Sequence, residues 1–292
     1  MTQRFAVLGS PIAHSLSPRL HAAAFAASGR DATYEAIESG AAEFPSVLAR
    51  LRAEGFAGVN LTAPLKALGL AAADEATPAA RAAGAANTLA FRGGAVQAEN
   101  TDGAGFAVFL ERAGVPVAGR AIAFGGGGGA VRGLVPALLE RGAGPVAVVV
   151  RAPARAAADF APFLARGVRI LLLDASDDGP AARAIGEASL VVQGTPLGLR
   201  PEDPLPCPAA WPGPQAVAVD LLYHPPVTPW LAALRLRGVR AANGLGLLIE
   251  QALLAQRFWF GEEPPRSALE EAVRWRDPFA PSPASSAEAP GR

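Results

Sequence analysis

Read from the N-terminus, the chain alternates short apolar runs of strand type with longer stretches whose apolar residues recur at helical spacing. RFAVLGS (residues 4–10), ATYEAIES (32–39) and GVNLT (58–62) are separated by SPRLHAAAFAAS (17–28) and FPSVLARLRAEG (44–55). Strands alternating with helices predict a parallel α/β sheet, because parallel neighbours need a crossover between them. After DGAGFAVFLERAG (102–114) the pattern restarts with strands that are apolar throughout: AIAFG, VAVVV, VRILLLD, SLVVQG and AVAVDLL. Continuous apolar runs fit strands buried on both faces, which predicts a second, doubly wound domain. The closing helical stretches LGLLIEQALLAQRFWFG and PRSALEEAVRWR lie beyond that sheet. The fold class expected is α/β in two domains. The first spans 1–102, the doubly wound domain spans 103–242, helices of 243–280 return to the first, and a cleft lies between the two. The Pro/Ser/Ala-rich end, 281–292, reads as a disordered tail. No repeat of solenoid period is visible.

Composition narrows the class of partner. The 292 residues carry 26 basic and 26 acidic side chains without basic runs, so the electrostatic footprint of nucleic-acid or acidic-membrane binding is missing. A small-molecule partner is expected, with no nucleic acid and no membrane. Cys207 is the only cysteine, so it has no intrachain disulfide partner, and it lacks the Cys/His neighbours of a zinc site. No metal is expected, and a reducing, cytoplasmic location suits a lone thiol. No apolar run resembles a signal peptide or approaches the roughly 20 residues of a membrane span.

The stretch AIAFGGGGGAVRGLVPALLERG reads as strand, glycine loop, helix. In a Rossmann-type domain that is where a dinucleotide pyrophosphate meets backbone N–H groups and the positive end of a helix. Gly126, Gly128 and Gly129 are assigned to the loop. An NAD site usually ends the next strand in Asp or Glu to hold the ribose hydroxyls. Here VAVVVRAPAR ends in Arg151, with Arg155 one helical turn later. Two guanidiniums suit a 2′-phosphate, so the cofactor expected is NADP. The alternative is two solvated arginines at a helix start.

Rare residues mark the candidate chemistry. Of the 26 basic side chains only Lys66 is lysine, and the only asparagines are Asn60, Asn87, Asn100 and Asn243. Arginine stays protonated at any working pH, whereas lysine, with an ordinary pKa near 10.4, can give and take a proton. Lys66 is therefore a candidate proton-transfer residue, against the alternative of a surface lysine in the first turn after Pro64. The asparagines stand at junctions between strands or loops and the next element, where α/β clefts open. Their paired donor and acceptor suit a polyhydroxylated ligand, although Asn243 before Gly244 reads as a turn or cap. Asp102 opens a helix and reads either as an N-cap or as a carboxylate that orients Lys66. Ser15 and Ser17 precede Pro18; Ser17 suits an N-cap, and two hydroxyls beside a helix start also form a neutral receptor for a carboxylate. A small anionic polyol is the expected substrate.

These motifs together resemble the shikimate dehydrogenase family over essentially the whole chain except the tail. They are the serine loop GSPIAHSLSP, the lysine motif NLTAPLK, GAANTL, NTDGAG, GGGGAVRG, RAPAR, DLLYHPPVTP and NGLGLLIEQA. The resemblance implies an N-terminal substrate domain, a Rossmann NADP-binding domain, and NADPH-dependent reduction of 3-dehydroshikimate in aromatic amino acid biosynthesis, by a monomer or homodimer. It implies Lys66 and Asp102 as the catalytic pair. Ser15, Ser17, Asn60, Thr62, Asn87, Asp102, Tyr223 and Gln251 would hold the substrate. Gly126, Gly128, Gly129, Ala130, Arg151, Arg155, Thr195, Leu221 and Gly244 would hold the cofactor. The chain departs from the family where Ala63 and Leu65 replace bulkier residues, which predicts an altered pocket wall. It departs again where Val150 and Ala152 flank Arg151, which bears on cofactor affinity, and where Glu250 stands beside Gln251. Rival readings are a quinate-type paralogue, a non-catalytic NADP-binding module, and a methylenetetrahydrofolate dehydrogenase with a catalytic lysine. The paired serines speak for a small carboxylate against the last.

Overall fold

The computed structural model describes residues 2–164, 170–176 and 178–279, and the predicted tail, 281–292, lies outside them. The first sheet is built from β1 (Gln3–Gly9), β2 (Ala32–Glu38), β3 (Phe56–Leu61), β4 (Glu75–Ala76), β5 (Thr88–Arg92) and β6 (Ala95–Glu99), in the order β2-β1-β3-β5-β6-β4. The strands β2, β1 and β3 run parallel, as their pattern predicts, with crossover helices α1 (Ser17–Ala27) and α2 (Phe44–Ala53). The sheet as a whole is mixed, which corrects the expectation of a parallel one. β5 pairs antiparallel with both β3 and β6. Gly93 and Gly94 close the β5–β6 hairpin with φ of +58° and +82°, the two left-handed positions of a type I′ turn, which glycine adopts at little cost. α2 buries Phe44, Leu48 and Leu51, spaced four and three apart, so one stripe of the helix faces the sheet.

The second sheet is all parallel. Its strands are β7 (Ile122–Gly125), β8 (Val146–Val150), β9 (Ile170–Asp174), β10 (Leu190–Gln193), β11 (Val217–Asp220) and β12 (Arg240–Ala242), in the order β12-β11-β10-β7-β8-β9. That is the doubly wound order, with its switch point between β7 and β10, where the crossovers change face and a crevice opens at the strand ends. All residues of β8 are buried, which explains the uninterrupted valines. β12 was not read from the sequence, because three residues at a sheet edge carry too little pattern.

Helix α5 (Thr101–Arg112) runs between the two sheets and packs on α6 (Gly129–Glu140) and on α10 (Leu245–Phe260). The approach is too close for side chains. A Cβ on Gly103 would run into the carbonyl oxygen of Gly133, and one on Gly105 would fall 2.8 Å from the amide nitrogen of Gln251. At its far end α10 covers the first sheet. Trp259 stacks against Phe5 with ring centroids 4.5 Å apart, and its Nε1 donates to Leu89 O at 3.0 Å. Among the described residues no helix is long and apolar enough to cross a membrane.

Between α1, β2 and α10 lies a fully buried histidine, His21. Nε2 of Gln256 sits 2.7 Å from its Nδ1, so the amide donates to that nitrogen and the ring proton is assigned to Nε2. Burial pushes the His21 pKa down to about 3 from the usual 6.5, so the folded protein holds the ring neutral. The unfolded chain takes up a proton below about pH 6.5, whereas the folded one resists until about pH 3. His21 therefore supports the fold above that window and costs stability as pH falls through it, by about 1.4 kcal/mol per pH unit. Urea unfolding of wild type and His21→Phe between pH 6.5 and 4.5 should show wild type losing roughly 2–3 kcal/mol more than the variant. Equal losses would mean that His21 titrates alike in both states.

Candidate active site

The loops that leave the carboxyl ends of β1 and β3, together with the strand–helix junctions beside them, bring the rare residues to one place. Asn60 lies near the end of β3, Thr62 follows it, and Lys66 is the first residue of α3 (Lys66–Ala71). Asn87 immediately precedes β5, Asp102 lies in the first turn of α5, and Gln251 lies within α10. Lys66 Nζ donates to Asp102 Oδ2 at 2.6 Å, with only 16% and 9% of the two side chains exposed. Asp102 Oδ1 accepts from Asn87 Nδ2 at 2.9 Å, and the same Nδ2 lies 3.5 Å from Gln251 Oε1. Asn87 Oδ1 accepts the backbone N–H of Thr101 at 2.8 Å, so both ends of one amide are engaged. Asn60 donates through Nδ2 to Asn87 O and Thr88 Oγ1. Lys66, Asp102, Asn87, Asn60 and Gln251 thus form one hydrogen-bonded cluster, and Thr62 borders it, half-buried, with its backbone N–H on Leu8 O.

Two capping expectations are corrected. Asp102 is not the N-cap of α5: Asn100 is, accepting the Asp102 N–H at 3.1 Å, and the carboxylate is thereby released toward Lys66. Its position in the first turn still sets the negative charge at the positive end of the helix. Ser17 is not the cap of α1 either. It is the first helical residue, after Leu16 at the cap position, and no side chain caps that end.

Ser15 and Ser17 instead belong to a group of hydroxyls. Ser15 Oγ accepts the Ser17 N–H at 3.3 Å. Tyr223, from the segment after β11, reaches across to Ser15 and to the backbone of Leu16, and burial raises its phenol above the ordinary 10. His14, beside Ser15, and His224, beside Tyr223, stack with centroids 5.1 Å apart. The segment carrying Tyr223 is tied down by buried Asp220, which accepts from Leu222 N at 3.0 Å and Thr228 Oγ1 at 2.7 Å. Burial pushes the Asp220 carboxyl up to about 6. Asp220, Thr88, Thr101 and Tyr34 were missed in the sequence. For Tyr34 a signal existed, since it and Tyr223 are the only tyrosines in the chain.

Opposite this cluster lies the glycine loop between β7 and α6. Gly126 has φ +90°, and a Cβ there would meet Thr195 Cγ2 at 2.8 Å. Gly127, which carried no mark in the sequence, packs against Val150 and Phe160. Gly128 is exposed and at the N-cap of α6, no side chain caps that helix, and a Cβ on Gly128 would meet nothing within 4 Å. The first N–H groups of α6 are therefore available beside open space, with half-buried Ala130 in that first turn. A Cβ on Gly129 would lie 4.0 Å from Lys66 Cβ, so the loop faces the lysine directly. Thr195, Leu221 and Gly244 line the same side: Gly194 borders Leu221, and Gly244 approaches Leu221 O so closely that no Cβ would fit between them. Arg151 and Arg155 are exposed where β8 gives way to α7 (Pro153–Leu164), with no acidic partner among the described residues. They lie one strand along the sheet from the glycine loop, since β8 is the neighbour of β7. Asn243 Oδ1 accepts Leu245 N–H at 3.1 Å, the turn role expected of it.

Three of the five family departures, Leu65, Val150 and Glu250, are absorbed by packing or pairing. Leu65 is fully buried in the core beneath the first sheet, so it forms no pocket wall, while Ala63 is exposed. Val150 joins the core of the second sheet with Phe160, and Ala152 is exposed. Glu250 turns away from Gln251 to pair with Arg266 and, at 3.7 Å, Arg112.

Comparison with known proteins agrees with this geometry. Residues 7–89 match the family described as shikimate dehydrogenase substrate binding domain, and residues 244–274 match the shikimate 5′-dehydrogenase C-terminal domain. The chain is 39% identical over 273 residues to a shikimate dehydrogenase (NADP(+)) of Symbiobacterium thermophilum, covering 91% of this chain and 92% of that one. It is 40% identical to the like-named protein of Thermus thermophilus, covering 93% and 97%. The crystal structure of shikimate 5-dehydrogenase from Thermus thermophilus, in complex with NADP(H) and shikimate, matches with a TM-score of 0.82 at 39% identity, over 94% of this chain and 99% of that one.

Two glycines of the loop separate backbone demand from ligand space. Gly126→Ala should cost roughly 1–3 kcal/mol in ligand-free urea unfolding, because it strains a left-handed residue and strikes Thr195. Gly128→Ala meets no neighbour and keeps a negative φ, so it should cost only the difference between glycine and alanine at an N-cap, about 0.5–1 kcal/mol. Equal losses at both sites would refute this division.

Proposed function

The chain belongs to the shikimate dehydrogenase family, and on that premise we propose that it catalyses the reversible, NADP-dependent reduction of 3-dehydroshikimate to shikimate in aromatic amino acid biosynthesis. The observation that carries the reading is the Lys66–Asp102 pair, 2.6 Å apart and opposite the glycine loop. The chain's residues fit the cofactor. The uncapped start of α6 with Gly126, Gly128, Gly129 and Ala130 suits a pyrophosphate, and the exposed guanidiniums of Arg151 and Arg155 suit a 2′-phosphate. Thr195, Leu221 and Gly244 then border the nicotinamide end. When bound, NADPH supplies the hydride that reduces the ketone carbon.

Lys66, as the ammonium, donates its proton to the ketone oxygen as negative charge develops there, and takes it back when shikimate is oxidised. Asp102 holds Nζ in place and balances its charge, while Asn87 fixes the carboxylate from the other side. Ser15, Ser17 and Tyr223 receive the substrate carboxylate as neutral donors, and burial keeps the Tyr223 phenol protonated. Asn60, Thr62, Asn87 and Gln251 face the ring hydroxyls. On this reading residues 1–102 with 243–280 form the substrate domain and 103–242 the cofactor domain. The enzyme works in the cytoplasm as a monomer or homodimer.

Lys66→Arg keeps the charge but removes the transferable proton. Its kcat, followed by nicotinamide absorbance, should fall about a hundredfold to ten-thousandfold, with KM for shikimate much less affected. Turnover near wild type would exclude the proposed role. Replacing Arg151 and Arg155 together by Ala should raise KM for NADP about tenfold to a hundredfold and leave NAD little changed. Equal effects on both cofactors would mean that the arginines do not read the 2′-phosphate.

A further inference from the structure

Tyr34 lies on β2, the edge strand of the first sheet, yet its side chain is turned inward. Its hydroxyl donates to Asn60 Oδ1 at 2.7 Å. Both protons of Asn60 Nδ2 are committed, to Asn87 O at 3.1 Å and Thr88 Oγ1 at 2.9 Å, so the phenol is what orients the oxygen end of that amide. The Ser17 side chain lies beside the same phenol oxygen, and Tyr223 is close enough to influence it. The ring is clamped flat against His21, with centroids 4.3 Å apart and planes 11° apart, and His21 is held by Gln256. The Nε2 of His21 has no hydrogen-bond partner among the described residues, and Asn60 lies beside the ring. Tyr34 thus stands between the two groups of side chains assigned to substrate: the hydroxyls at the carboxylate end and the amides at the ring-hydroxyl end.

We propose that Tyr34 is a positioning residue for the substrate, setting the Ser17 hydroxyl and the Asn60 amide in register so that carboxylate and ring hydroxyls are received together. This rests on the reading of the site as a shikimate receptor. A phenol suits the task, because its one proton goes to Asn60 while its oxygen still offers lone pairs to the Ser17 side chain beside it. Burial raises its pKa well above the ordinary 10, so it stays a neutral donor. Phenylalanine would keep the stack on His21 but would leave Asn60 Oδ1 without its donor and set an apolar edge beside Ser17.

The test is steady-state oxidation of shikimate by wild type, Tyr34→Phe, Ser17→Ala and the double variant, with thermal midpoints measured alongside. Tyr34→Phe should raise KM for shikimate about threefold to tenfold, the loss of one or two neutral hydrogen bonds, with kcat and KM for NADP within about twofold. In the Ser17→Ala background the same substitution should cost distinctly less, because the two side chains act through one contact. An unchanged shikimate KM, or effects that simply add, would overturn the proposal. So would a lowered midpoint with kcat and both KM values moving together, which marks a merely structural role. Absence of shikimate oxidation by wild type would defeat the activity reading and this one with it. Wild-type activity with a wild-type-like Tyr34→Phe would defeat only the role of Tyr34.

Discussion

A carboxylate with 9% of its side chain exposed persists only if its charge is matched, and Asp102 meets that condition on every side. One oxygen takes the Lys66 ammonium, the other takes Asn87 Nδ2, and the backbone beneath belongs to the positive end of α5. The match depends on where α5 can lie. Gly103 and Gly105 let it press against α6 and α10 at distances that a methyl group would forbid. That one close approach sets Asp102 against Lys66, Gln251 against Asn87, and the start of α6 against the lysine. The ion pair of the site and the packing of the two sheets are therefore the same constraint seen at two scales.

Beside this ion pair the site gathers neutral hydroxyls. Ser15 and Ser17 lie with the phenols of Tyr34 and Tyr223, and burial raises both phenols above the ordinary 10, so that they remain neutral. Positive charge reappears at Arg151 and Arg155, exposed beyond the end of β8, where solvent screens it. Charge thus differs along the crevice, from the largely buried Lys66–Asp102 ion pair to the exposed guanidiniums of Arg151 and Arg155.

Five of the six strands of the second sheet, β7 to β11, were legible, because their runs are apolar almost throughout, whereas the short edge strand β12 was not. The first sheet was legible only in its parallel half. The β5–β6 hairpin was announced by Gly93-Gly94, but a two-residue turn inside an otherwise alternating pattern is a weaker cue than the crossovers around it. Rarity led to Lys66, Asn60 and Asn87, and would have led to Tyr34 had it been applied to tyrosine. Gly127, Asp220 and Thr88 carried no such mark, since their roles come from neighbours distant in the chain.

The order of apolar and polar residues, by itself, determined the alternation of strands and helices, the glycine loop before α6 and the set of motifs that the shikimate dehydrogenase family shares. Those are local properties, written in spacing and residue type. Which side chain caps α5, which way Leu65 and Glu250 turn, and whether Asp102 meets Lys66 were decided by tertiary structure alone. Each depends on a distance between segments far apart in sequence, and such a distance is set by how closely helices and sheets can pack.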